Sequence, residues 1–242
     1  MEEKANGTIA PGASSLPRII RPEGGASAWT ATEFVEQRRE YLLESLSEFG
    51  ALLLRGFTIA SKDDFRRLTD VLSDGRTMTY AGGVSPRNEI IPGVYTSTKW
   101  AHYLRIPLHS EMSYLPRIPE AILFFCERPA LFGGSTPLAN LRTVLSHIPS
   151  QLRDRIERAG LTYIRYYFER DRKLEFLNSF SNAHQTWMEV FGTASRSEVE
   201  VQCRDQGISL EWLPDGGARL RNTLPAFRTH PVTGEQLWVN QA

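Results

Sequence analysis

Ile106-Pro-Leu-His-Ser-Glu-Met-Ser-Tyr114 is the stretch from which the rest of the chain is read. At its centre His109 and Glu111 stand two residues apart. Along a β-strand successive side chains alternate faces, so residues i and i+2 point the same way. The spacing therefore predicts that an imidazole and a carboxylate converge on one point. A strand supplies two ligands of a 2-His-1-carboxylate iron(II) site in this way, and such a site leaves positions open for a co-substrate and oxygen. Alone the pair says little. Five histidines and 28 acidic residues in 242 positions make a chance His-x-acid pair unsurprising, and a strand-end His and Glu facing solvent is the commoner case. The flanking sequence changes the balance.

On the C-terminal side, Ala121-Ile-Leu-Phe-Phe-Cys126 is a continuous apolar run that predicts a strand buried on both faces. Phe132-Gly-Gly-Ser-Thr136 follows as a tight turn. On the N-terminal side, residues 75–105 carry the breakers Gly82-Gly83, Pro86 and Pro92-Gly93 and read as a long loop. An irregular stretch of that length inside a domain is usually a lid or a substrate loop. Further upstream, apolar residues at helical spacing predict a helix from Thr32 to Phe49, closed by Gly50. A short buried strand at Ala51–Leu54 follows. A second helix is opened by Ser61-Lys-Asp-Asp64 and carries Phe65, Leu68, Val71 and Leu72. Residues 1–28 are rich in Gly, Ala, Ser and Pro and read as a flexible lead-in, with an edge strand at Arg18–Arg21.

Beyond the glycine pair, helical spacing at Val144, Leu145, Ile148, Leu152 and Ile156 is interrupted by Pro149 and closed by Gly160. Leu161–Phe168 alternates and is β-prone. Two short helices are expected near 184–191 and 196–206. A hairpin turns at Pro214–Gly217, and a second turn at His230–Glu235 leads into Gln236–Asn240. No repeat or linker divides residues 29–242, which read as a single domain.

Composition narrows the class. Hydrophobic content of 41% with 10% aromatic residues suits a sizeable core. Lys+Arg and Asp+Glu balance at 28 each, which gives no support for nucleic acid or an anionic membrane as partner. Cys126 and Cys203 make neither a disulfide framework nor a metal spacing and fit a reducing cytoplasm. The start, Met1-Glu-Glu-Lys, is charged and lacks the apolar core of a signal peptide. No apolar run is long enough to span a bilayer.

Three motifs in order now carry a resemblance. Glu48-Phe-Gly-Ala-Leu-Leu-Leu-Arg-Gly-Phe57, the His109–Glu111 stretch, and Phe132–Thr136, with Thr136 lying 27 residues past His109, resemble the TauD/TfdA family. These are Fe(II)- and 2-oxoglutarate-dependent dioxygenases. The His-x-Glu form is similar to the SyrP-like and clavaminate-synthase-like members. The resemblance implies a mainly β fold, a double-stranded β-helix (jelly-roll) core with flanking α-helices. It implies that His109 and Glu111 hold Fe(II), and that the Thr136 hydroxyl bonds a carboxylate of 2-oxoglutarate. The loop before the metal motif and the residues after it would line the substrate pocket, here Ser97, Thr98, His102, Met112, Ser113 and Tyr114. The implied activity is O2-dependent hydroxylation of an unactivated C–H of a small molecule, with succinate and CO2 as co-products. An amino acid, free or bound to a carrier protein, is the implied substrate class, in biosynthesis of specialised metabolites. Retention of Glu111 argues against halogenation, which needs that ligand position for halide.

The family's third ligand is a downstream histidine, followed by an arginine that anchors the far carboxylate of 2-oxoglutarate. Both lie in a motif after the stretch represented here by Trp238-Val-Asn240, and no match to it is present in the sequence. The expectation is therefore a chain without the family's C-terminal portion, its jelly roll incomplete there. His230 reads as a turn residue, His147 as a surface helix residue and His184 as a capping or surface residue. A second reading is a truncated, non-catalytic binding module derived from the same family. A cupin-like metal hydrolase would need further histidines grouped on neighbouring strands, and none has that spacing.

Overall fold

The computed structural model describes residues 16–23, 29–78, 87–98, 106–169 and 185–241. His102 and His184 lie outside them, as do most of the lead-in (1–15 and 24–28) and much of the predicted loop. Strand β1 (Arg18–Ile20) pairs in parallel with β2 (Leu52–Leu54). Helix α1 (Ala31–Phe49) starts at a capping box. Thr30 accepts from the Glu33 amide, and the Glu33 carboxylate accepts from the Thr30 amide, which satisfies two of the orphan donors of a first turn. Gly50 ends the helix at φ 77°, a left-handed conformation that a side chain would disfavour. Helix α2 (Lys62–Ser73) is capped by Ser61, whose hydroxyl accepts from the Asp64 amide at 3.0 Å. Ile20, Ala31, Val35, Leu42 and Leu68 form a buried cluster where β1, α1 and α2 meet.

Within the stretch predicted as a loop, β3 (Glu89–Ile91) and β4 (Val94–Tyr95) make a small antiparallel hairpin. Turn chemistry explains it. Pro92-Gly93 supplies a fixed φ followed by a positive one, 79° at Gly93, and the Glu89 carboxylate accepts from the Gly93 amide.

Helices α3 (Leu141–Ser146) and α4 (Ser150–Ala159) flank Pro149, which stands at the N-cap position of α4 without a side-chain hydrogen bond. Strand β5 (Leu161–Tyr167) then pairs with β7 (Ala218–Leu224), and β7 with β6 (Ser209–Trp212), in an antiparallel sheet ordered β5-β7-β6. Alternation puts Ala218, Leu220 and Asn222 of β7 on the buried face. Helices α5 (Trp187–Phe191) and α6 (Arg196–Asp205) cover that face with Trp187, Val190, Val199 and Cys203. Gly216, in the β6–β7 turn at φ 84°, is approached so closely by the Glu169 carboxylate that a Cβ there would displace that side chain. Strands β8 (Phe227–Thr229) and β9 (Gln236–Trp238) close the described chain as a hairpin around His230.

One expectation holds in part and two are corrected. The fold is mixed rather than mainly β: among the described residues, six helices accompany four small sheets of two or three strands, and no barrel closes. Ala121–Cys126 forms no strand, and it is not buried on both faces. Leu123 packs on the first core and Phe125 stacks on Phe65 at 5.5 Å, while Ile122 and Phe124 are 45% and 64% exposed. A run buried on both faces needs strands on each side and a cover on each face; here only one face is covered. The His109–Glu111 stretch is not a strand either, as described below.

One ion pair and two thiols give measurable consequences. Arg142, at the start of α3, forms a two-point pair with Glu235 of the β8–β9 turn, at 2.7 and 2.5 Å. The Arg142 guanidinium, with the Thr233 hydroxyl, holds the Glu235 carboxyl down at about 2. A depressed carboxyl stabilises the fold above its ordinary pKa, and that contribution is lost as pH falls toward the folded value. Urea midpoints followed from pH 6 down to pH 2 are expected to fall less steeply in Glu235→Gln than in the parent. Cys203 is fully buried, and burial pushes its thiol up to about 11, whereas Cys126 is exposed. Alkylation at pH 8 under native conditions is expected to label Cys126 quickly and Cys203 only on unfolding, counted by intact mass.

Candidate active site

The chain from Ile106 to Ser110 is irregular, and Glu111–Tyr114 is a turn. The Ser113 amide donates to the Ser110 carbonyl and the Leu115 amide to that of Met112. Met112 stands in the left-handed region at φ 52°, a conformation that costs a non-glycine residue roughly 1–2 kcal/mol. The turn persists because its surroundings hold it. The Ser110 amide donates to the Asn240 carbonyl at 3.1 Å. The buried Asn222 amide donates to the Tyr114 carbonyl at 2.8 Å. Arg228 donates to the Leu115 and Pro116 carbonyls, and Met112, Tyr114 and Leu115 sink into the second core.

On this turn His109 and Glu111 do converge, by turn geometry rather than strand alternation. Nε2 of His109 lies 3.9 Å from Oε2 of Glu111. Nδ1 of His109 is 2.8 Å from the Pro107 carbonyl. A carbonyl can only accept, so Nδ1 carries a proton, and in the neutral imidazole Nε2 keeps its lone pair for a ligand. This is the backbone hydrogen bond that fixes the tautomer of metal-binding histidines.

One residue of the site was not anticipated from sequence. Arg87, just before β3, donates from Nη2 to Oε2 of Glu111 at 3.0 Å and to the Thr98 hydroxyl at 3.4 Å. Both partners of the ion pair are shielded, with side chains 14% and 18% exposed. Pairing across 24 positions leaves no local pattern. Nor does composition single it out, since Arg76, Lys99 and Arg105 stand in the same predicted loop.

The other candidates are dispersed. Thr98 touches Arg87, and Ser97 is exposed beside it. Met112, Ser113 and Tyr114 are 4%, 1% and 3% exposed, and the Ser113 hydroxyl has no hydrogen-bond partner among the described residues. Thr136 lies on a wholly exposed stretch, residues 131–140, and no described hydrogen bond ties it to His109 or Glu111. His230 accepts from the Val232 and Thr233 amides, as a turn residue does. His147 bonds the Thr143 carbonyl of its own helix. Among the described residues, no three His, Cys, Asp or Glu side chains gather into a metal-sized cluster.

Comparison with known proteins adds to this geometry. The model of the family described as taurine catabolism dioxygenase TauD, TfdA family, matches residues 12–242. The chain belongs to the TauD/TfdA family. That family is generally Fe(II)- and 2-oxoglutarate-dependent and implies a jelly-roll fold. The dapdiamide synthesis protein DdaC of Enterobacter agglomerans is 32% identical over 233 residues, covering 96% of this chain and 66% of that protein. A clavaminate synthase-like protein of Arabidopsis thaliana is 30% identical over 239 residues, covering 95% of this chain and 69% of its own. The chain thus spans about two thirds of the length of these relatives.

The donor chemistry fits the metal that the family uses. A neutral imidazole and a carboxylate suit iron(II), and His109 and Glu111 would supply that pair. The turn itself is open to test. Asn222→Leu would leave the buried Tyr114 carbonyl without its donor, at a cost of about 1–3 kcal/mol. A lowered urea midpoint with unchanged far-UV circular dichroism is the expected result.

Proposed function

We propose that this chain carries the metal-ligand pair of an Fe(II)/2-oxoglutarate-dependent oxygenase, which hydroxylates an unactivated C–H of a small molecule. The observation behind it is the convergence of His109 Nε2 and Glu111 Oε2, with the imidazole proton held on Nδ1 by Pro107. Bound iron with 2-oxoglutarate would supply the oxidising power from O2. The protein's part is to hold the ligands, orient the substrate and keep water away. We read residues 29–242 as one oxygenase domain, with Thr136 binding a carboxylate of 2-oxoglutarate. Ser97, Thr98, His102, Met112, Ser113 and Tyr114 are the proposed substrate contacts. Of these, Thr98 is linked to the pair through Arg87.

A relative named for dapdiamide synthesis supports a small molecule related to amino acids, free or carrier-bound, in biosynthesis. One observation favours the second reading, a non-catalytic binding module: the described residues bring two protein ligands together, not three. Two experiments separate the readings. The intact mass of the protein from its natural source is compared with the 27.4 kDa of this sequence. The same protein is then given Fe(II), 2-oxoglutarate and a panel of amino acids while succinate is assayed. Substrate-coupled succinate release, abolished by His109→Ala, is expected of the oxygenase. Release that survives His109→Ala would sink the assignment, and its absence from the intact protein with every substrate would favour the binding module.

A further inference from the structure

We propose that Arg87 is a positioning residue: its guanidinium pairs with Oε2 of Glu111 and holds that carboxylate facing Nε2 of His109. This rests on the reading of His109 and Glu111 as metal ligands. A glutamate side chain has three rotatable bonds, and Glu111 sits on a turn without the regular backbone of a strand to aim it. Something must select its rotamer. Among its described contacts, the 3.0 Å bond from Arg87 has the shortest reach. Arg87 is itself held. The β3–β4 hairpin sets it at the open end of a ladder in which Asn88 and Thr96 exchange hydrogen bonds, from the Asn88 amide to the Thr96 hydroxyl and from the Thr96 amide to the Asn88 carbonyl. Thr98 on the opposite arm accepts from Nη2. The hairpin is tied to α2 by Arg66, which bonds the Pro92 carbonyl and pairs with Asp70. A chain of contacts thus runs from a capped helix, through a hairpin, to one carboxylate oxygen. Hydrogen-bonded partners of ligating carboxylates orient them, and their loss typically weakens metal binding 10- to 100-fold.

The opposing possibility has the opposite sign. If the guanidinium acted mainly as a charge repelling a cation, removing it would tighten metal binding. The test titrates Mn(II) alone into the 242-residue chain and follows line broadening of the His109 imidazole signals, assigned with His109→Gln. This readout works for weak sites and needs no turnover. Arg87→Gln is expected to raise the apparent Kd about 10- to 100-fold, with Arg87→Lys between the two because it keeps the charge without the planar fork. Thr98→Val, which removes only the hydroxyl that steadies Arg87, is expected to weaken binding by a smaller factor. It carries the test should Arg87→Gln fail to fold, as judged by thermal melts. Selective broadening of His109 with an affinity unchanged or tightened in Arg87→Gln and Thr98→Val overturns the positioning role alone. Broadening no stronger at His109 than at the other histidines overturns the metal-ligand reading, and this inference with it.

Discussion

Two asparagines hold the site together. Asn222 faces inward from the central strand of the β5-β7-β6 sheet and spends its amide on the Tyr114 carbonyl. The backbone of Asn240 receives the Ser110 amide, while its side chain bridges the Ala226 carbonyl and the Tyr163 hydroxyl. Both asparagines are buried, at 5% and 4% exposure, where an unmet polar group is costly. The side-chain oxygen and nitrogen of each asparagine are both hydrogen-bonded, which limits the alternatives. This network pins a turn that would otherwise resist its own backbone, since Met112 must sit at positive φ. Everything at the candidate site hangs from that turn.

The ligand pair is accordingly supported from two directions. From the C-terminal side, the sheet and Arg228 clamp the backbone carbonyls of residues 114–116. From the N-terminal side, the hairpin delivers a cation to the carboxylate. The imidazole depends on neither, because Pro107, two residues away, sets its tautomer. A site on an irregular segment can be held accurately when packed elements on both flanks contribute the contacts.

The apolar segment after the turn behaves differently. Ala121–Cys126 and the following Leu131-Phe132 have the composition of buried chain, yet Leu131 and Phe132 are 94% and 95% exposed. Apolar side chains bury only where something lies opposite them. The segment uses its inner face, through Leu123 and Phe125, and leaves the outer one bare.

Much of this was legible in the residues themselves. Helix boundaries were announced by Ser61, by Gly50 and by Gly160, because caps are local hydrogen-bonding devices within one turn of chain. The β6–β7 hairpin was marked by Pro214–Gly217, and the His109–Glu111 pair by its own spacing. The sequence could not say that this pair would meet on a turn, that Arg87 would reach Glu111, or that Asn222 would bond Tyr114 across 108 positions. It also could not say that a run as apolar as Ala121–Cys126 would have one face uncovered. Periodicity and capping are written within a few residues, whereas a buried hydrogen bond or ion pair between distant segments is chosen by which surfaces pack. Only the tertiary structure decides that.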